Sequence, residues 1–310
     1  MREDSEKTMA WGLITYQDAS RKEDLMDVLG DVSPDETPLL TLFGTSTARG
    51  TLHEWVRYNV ARPTTVSADV EGADTTFADL TAPSRQTNIA QIIKQSVRVS
   101  RTERRVNVAA VGDPYAFQKA DALRQLKTKM EYALLNAARA SGDSGVARQM
   151  NGIDQFISST NTARNSGTSF FETELNDMAN DSYTAVRADK VFDILLCTAR
   201  IKQVIAGFSG NSTRYEDATS RRLTRDILVY DSHVGSHKVM HHRDVRNTAG
   251  STTVYGIRED MHKVAYLDKP MWEELAKVGD SDRGHWVVEF THEALEERAD
   301  QKRTGYNLTG

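Results

Sequence analysis

Four histidines crowd the stretch HVGSHKVMHHRD: His233, His237, His241 and His242. Imidazoles spaced i, i+4 meet on one face of a helix, where they could hold zinc for a metal-dependent hydrolase. Here Gly235 and the preceding ILVY favour strands and a turn instead. On a strand, His237 and His241 share a face but stand about 13 Å apart at roughly 3.3 Å per residue, too far for one ion. The four are expected as exposed strand histidines, with no metal. GDSG at 142–145 has the form of a serine-protease nucleophile motif, but that chemistry needs a histidine base and a buried aspartate upstream. Only His53 precedes it, and the tetrapeptide follows a long helical pattern, where Gly and Asp are ordinary capping residues. VRVSRTERRVNV clusters Arg98, Arg101, Arg104 and Arg105. They could touch phosphates, pair with acids on a neighbouring copy, or solvate a strand edge. GFSGNS lacks the lysine and the spacing of a phosphate loop. No catalytic or cofactor site assembles, so an enzyme is not expected.

The single cysteine, Cys197, excludes an intrachain disulfide and a cysteine-rich metal site. It ends VFDILLC, an apolar run that reads as a buried strand, so Cys197 is expected in the core. The 310 residues suffice for one large domain or two modest ones, and the net charge of −5 argues against a dedicated nucleic-acid binder. No apolar stretch approaches the roughly 20 residues of a membrane span. The start lacks a signal-peptide layout, so a reducing cytoplasm is the expected site of synthesis.

The elements that would position such residues follow from periodicity. ASRKEDLMDVLG reads as a short helix, and SPDETPLLTLFG as an extended anchor in which Pro34 and Pro38 force turns. Residues 51–60 and 86–100 read as strands, separated by a long polar stretch with little to build a core. Residues 113–141 read as one long helix, with Asp113 as N-cap, Pro114 at its first position and Gly142 as C-cap. Its stripe runs through Ala116, Ala120, Leu123, Leu126, Met130, Leu134 and Ala137. From 151 onward helices in FFETELNDMANDSYTAVRA and TARIKQVIAGF alternate with strands in VFDILLC, DILVYDS, SHKVMHH, TTVYGI, KVAYLD and GHWVVEF.

In GTLHEWVRYNV, residues 50–60, both strand faces are mixed, and Trp55 sits among charges. A two-stranded arm is marginal alone, so another copy of the chain is the simplest cover. Trp55 is expected as an interface anchor, ringed by His53, Glu54 and Arg57.

The order of arm, hairpin, long helix, α/β block and returning strands resembles the major capsid proteins of tailed bacteriophages, the fold named after phage Hong Kong 97. The stretches EDLMDVLGDVSPDETPLL, TLHEW, VEGAD, MNGIDQFI and VYGIREDMHKVAYLDKPMWEELAKVGDSDRGHWVVEF carry the likeness, from about residue 23 to 300. The resemblance implies an α+β capsid fold: an N-terminal arm over 1–49, an extended loop over 50–96, a peripheral domain over 97–149 with its spine helix at 113–141, an axial domain over 150–255, and returning peripheral strands over 256–310. It implies pentamers and hexamers that close an icosahedral shell around double-stranded DNA, in a virion assembled in the host cytoplasm. Portal, scaffolding and decoration proteins are further partners it suggests. Nothing before residue 15 is long enough for a cleaved scaffolding segment, so a scaffold is expected as a separate protein. Stretch 209–222 departs from the family in reading as loose and polar. The subunit interface is expected at His53, Glu54, Trp55, Arg57, Glu71, Arg98, Arg101, Asp282 and Arg283, the last two in the GDSDRG turn. An encapsulin-like nanocompartment and a gene-transfer particle are rival shells of the same fold.

Overall fold

The computed structural model describes residues 37–58, 66, 68–74, 82–106, 112–157, 162–186, 191–208, 229–245, 247–248 and 251–307. Helix α1 (Pro38–Leu42) leads into β1 (Gly44–Thr47), followed by β2 (Leu52–Arg57), β3 (Ser84–Ile89) and β4 (Gln91–Ser100). Then come α2 (Arg101–Arg105), α3 (Pro114–Asn136), α4 (Ile153–Phe156), β5 (Thr162–Thr168) and α5 (Glu172–Val186). The chain continues through β6 (Ile194–Cys197), α6 (Ala199–Ile205), β7 (Val229–Asp231), β8 (Ser236–His241), β9 (Asn247–Thr248) and β10 (Ser251–Ile257). The last strands are β11 (His262–Leu275), β12 (Ser281–Ala294) and β13 (Gln301–Asn307).

These strands form three sheets. One runs β1-β11-β12-β4, with β1 parallel to β11 and the remaining pairs antiparallel. The second runs β5-β13-β10-β6-β8-β7, with β9 beside β10. The third is the pair β2-β3 alone. Strand β13, grouped by the sequence with the returning peripheral strands, lies in the second sheet instead, paired with β10 and β5. Backbone pairing to β10 decides its place, and no local pattern in QKRTGYN announces it.

Helix α3 lays Leu126, Met130 and Leu134 over Ile93, Val288 and Phe290 of the first sheet. The same core continues to Ile194, Leu196, Tyr255 and Ile257 of the second sheet, so one apolar mass joins the two. Strand β6 explains the unbroken run ILLC. Ile194 and Leu196 face this core, while Leu195 and Cys197 face a second core with Phe192, Met178 of α5 and Ile201 of α6. A strand covered on both faces needs no polar alternation.

Helix α3 begins as expected: the Asp113 carboxylate accepts from the Tyr115 N–H at 3.0 Å, and Pro114 fills the first turn. It ends at Asn136, short of the expected 141. Ala137 turns extended, and its carbonyl accepts from the Gly152 N–H at 2.9 Å. A Cβ on Gly152 would stand 2.9 Å from the Ala133 oxygen, so only glycine lets the returning chain close the helix end. Gly142, expected as the C-cap, takes φ +77° in a turn beyond the helix. Ala116 and Ala120 are exposed, and the buried stripe starts at Ala122. Pro38 opens α1 rather than forcing an extended turn, and Leu39 and Phe43 anchor it in the core. The helix expected in ASRKEDLMDVLG and the loose stretch 209–222 lie outside the described residues.

Candidate assembly surface

The β2-β3 hairpin is in register from Leu52↔Ile89 to Arg57↔Ser84. Its polar face turns inward. Trp55 is 8% exposed, packed with Phe156 and Ala294, and its indole Nε1–H donates to the Ala294 carbonyl at 2.9 Å. Trp55 is therefore buried in its own subunit, contrary to the exposed anchor expected from the sequence. The reason is a set of carboxylates at the end of β12 and just beyond it. His53 meets Glu293 at 3.2 Å, and Arg57 reaches Glu296 and Glu297, each at 3.6 Å. These partners draw the charged face onto the body and carry the tryptophan with it. Glu54, on the other face, pairs across the strands with Arg85 at 3.3 Å. Asn88 locks the base further, accepting from the Asn151 N–H and donating to the His292 carbonyl.

The apolar residues of β2 point the other way: Leu52 is 48% and Val56 66% exposed, and Tyr58 follows at 54%. At the tip a turn closes through the Ala73 N–H to the Val70 carbonyl, with Gly72 at φ +82°. Glu71 is exposed there, as are Asp69 and Asp74, and Val66 and Val70 are almost fully accessible.

The remaining expected interface residues gather at the far end of the first sheet. Arg98 is exposed on β4, opposite Arg283 of β12 in the register. Ser100 ends the strand and caps α2, its hydroxyl accepting from the Glu103 N–H at 3.1 Å. Arg101 and Arg104 thus leave the strand edge for a short helix. Arg101 pairs with Asp280 at 2.8 Å, and Arg104 with Asp282 at 2.9 Å. Asp282 also takes Lys277 at 2.6 Å, and hydrogen bonds from Lys277 and Arg104 hold its carboxyl below the usual range. Arg283 donates to the Ser281 hydroxyl and the Val278 carbonyl. The nine residues thus occupy three places: hairpin base, hairpin tip and the β11–β12 turn.

Of the four clustered histidines, His233 and His241 are exposed, but His237 and His242 are buried, which corrects the expectation for those two. His237 contacts the Phe192 carbonyl and the Ser232 hydroxyl, each at 2.8 Å. His242 reaches Glu131 on α3 at 2.9 Å. Among the described residues no group of three or more His, Cys, Asp or Glu could hold a metal ion. Asp143 and Ser144 form an exposed turn, in which the Asp143 carboxylate accepts from the Ser144 N–H at 2.6 Å. Sequence reasoning missed Glu131, which also accepts from the Leu39 and Leu40 N–H groups at 2.7 and 3.0 Å. It missed as well the buried His262, His292 and Asp300 below the hairpin. A lone carboxylate or imidazole in an apolar run is the only signal these positions carry.

Residues 9–305 match the family described as SU10 major capsid protein. The chain belongs to that family. It is a structural protein of a capsid shell. No curated protein sequence matches it. Solved structures agree on the fold. A chain from Gordonia phage Cozz superposes with a TM-score of 0.64 at 12% identity, covering 97% of this chain and 98% of that one. A capsid chain of a native GTA particle gives 0.64 at 10% identity, covering 94% and 97%. A chain of the holo-SrpI encapsulin complex from Synechococcus elongatus gives 0.59 at 9% identity, covering 91% and 93%. The family member thus has the fold named after phage Hong Kong 97, as its sequence patterns imply.

Proposed function

We propose that this chain closes, as pentamers and hexamers, the icosahedral head shell of a tailed phage around double-stranded DNA, acting through assembly and not as an enzyme. The observation that carries this reading is the hairpin's outer face. Leu52, Val56 and Tyr58 stay exposed on a two-stranded element whose charged face is already satisfied at home. An exposed apolar stripe on such a hairpin is an unfilled contact, and in a shell protein a neighbouring copy fills it. The stripe, with Glu71 at the tip and the Arg98, Arg101, Asp282 and Arg283 group at the β11–β12 turn, makes the intersubunit surface. The first sheet with α3 serves as the peripheral domain, and the second sheet with α5 and α6 as the axial one. Many modest contacts, each repeated around the shell, sum to a durable container. The slightly acidic net charge of −5 suits a wall that encloses DNA without gripping it.

Electron microscopy of the purified full-length protein tests the reading. Closed shells of uniform diameter are expected. Discrete rings of about a dozen copies, or monomers alone across a wide concentration range, would overturn it.

A further inference from the structure

Three buried groups meet where the hairpin, the first sheet and the second sheet join. His262 opens β11 and is 1% exposed; His292 of β12 and Asp300, just before β13, are fully buried. His262 Nδ1 lies 2.9 Å from His292 Nε2, the two rings meet edge to edge with centroids 5.1 Å apart and 6° between their planes, and His262 Nε2 faces Asp300 Oδ2 at 3.0 Å. Whichever imidazole donates, a contact between two ring nitrogens holds one proton. A second proton there would set two N–H groups face to face and add a positive charge in a dry site.

The surroundings leave little to absorb that charge. Phe43, at the end of α1, stacks on His262, and Phe156 of α4 meets His292 edge-on. Asp300 spends its other oxygen on the Arg258 N–H, while the Arg258 guanidinium turns to Asp260. From β2, His53 is held by Glu293, which also accepts from the Ser46 hydroxyl. Asp154 of α4 is taken by Lys302 and the Tyr255 hydroxyl. Asp300 is thus the one carboxylate in contact with the pair among the described residues.

The same few residues hold the hairpin. The His292 carbonyl accepts from the Asn88 amide, the Ala294 carbonyl accepts from the Trp55 indole, and Glu293 meets His53. We propose that His262, His292 and Asp300 form an acid-sensitive latch, which keeps the hairpin base seated while the pair shares one proton and releases it when a second enters. Burial first, then the charge of His262, push the His292 imidazole well below its ordinary pKa. The sign follows. Seated, His292 stays neutral; released, it takes a proton below about pH 6.5. The seated form is at full strength above that value and weakens as pH falls below it, by about tenfold per unit for one extra proton.

Hydrogen exchange of the full-length protein between pH 7.5 and 5, corrected for the intrinsic pH dependence, reads this directly. Protection of amides 52–57 and 84–90 is expected to drop about tenfold per unit below pH 6.5, while amides 194–197 of the core strand hold. His292→Gln should abolish the drop, and His262→Gln serves if that variant does not fold. His53→Gln should keep it. A drop that persists with either buried imidazole removed, one that vanishes with His53→Gln, or a loss of protection equal across the whole chain would overturn the proposal.

Discussion

Trp55 and Val56 are neighbours on one strand with opposite fates, and substitution should separate them. Trp55→Ala removes a buried indole and its hydrogen bond to Ala294, and is expected to cost about 3 kcal/mol in chemical denaturation. Val56→Asp touches no core, so the melting curve should stay put while shell yield in electron microscopy falls. Equal destabilisation by both would place Val56 in the core and remove the outer face from the assembly argument. Cys197 offers a third check at this scale. Burial pushes its thiol up to about 12, so a thiol reagent at pH 8 should leave the native protein unlabelled and modify one site per chain in denaturant. Gly284 is equally constrained, since an added Cβ would lie 2.2 Å from Cζ2 of Trp272, itself edge-on to Trp286. Gly284→Ala is expected to lower stability by about 1–3 kcal/mol in thermal melts.

Between elements, single polar side chains do the joining. Glu131 projects from α3 into a buried site, where it accepts the first free N–H groups of α1 and contacts His242 beyond β8. A carboxylate at a helix start satisfies orphan donors and meets the positive end of the helix dipole. Glu131→Ala leaves those donors buried without a partner, and is expected to cost on the order of 3 kcal/mol. Exchange of amides 39–43 should rise before the rest of the molecule opens. If α1 remains protected, its apolar anchors Leu39 and Phe43 suffice and Glu131 is dispensable. The hairpin is fixed by the same logic at larger size: its base has Trp55, Asn88, His53 and Arg57 tied to the body, while its outer strand face and tip keep accessible valines and acids. A segment anchored at one end and bare at the other suits a part completed by a neighbour.

As a whole molecule, two sheets share one apolar core through α3, and the chain crosses between them more than once: into the second at β5, back to the first at β11 and into the second again at β13. Such interleaving makes the subunit body a single cooperative unit, so its two sheets are expected to unfold in one transition. Two well-separated transitions in calorimetry of the unassembled chain would contradict this. On the proposed function assembly draws on surfaces outside that core, so surface substitutions on the hairpin are expected to change shells without changing subunits.

Apolar periodicity alone determined much of this protein. The N-cap and first turn of α3, the doubly buried strand ILLC and the strands after 229 were legible because period and capping are local properties. The motif stretches added the capsid family, which the match over 9–305 bears out. Tertiary structure alone decided which face of β2 turns inward. Both faces of LHEWVR are mixed, and the choice fell to Glu293, Glu296 and Glu297, more than 230 residues away along the chain. It likewise ended α3 at Asn136 by bringing Gly152 against it, drew β13 into the second sheet, and gathered His262 of β11, His292 of β12 and Asp300 from the turn before β13. Each of these depends on partners distant in sequence, whose pairing no local pattern encodes.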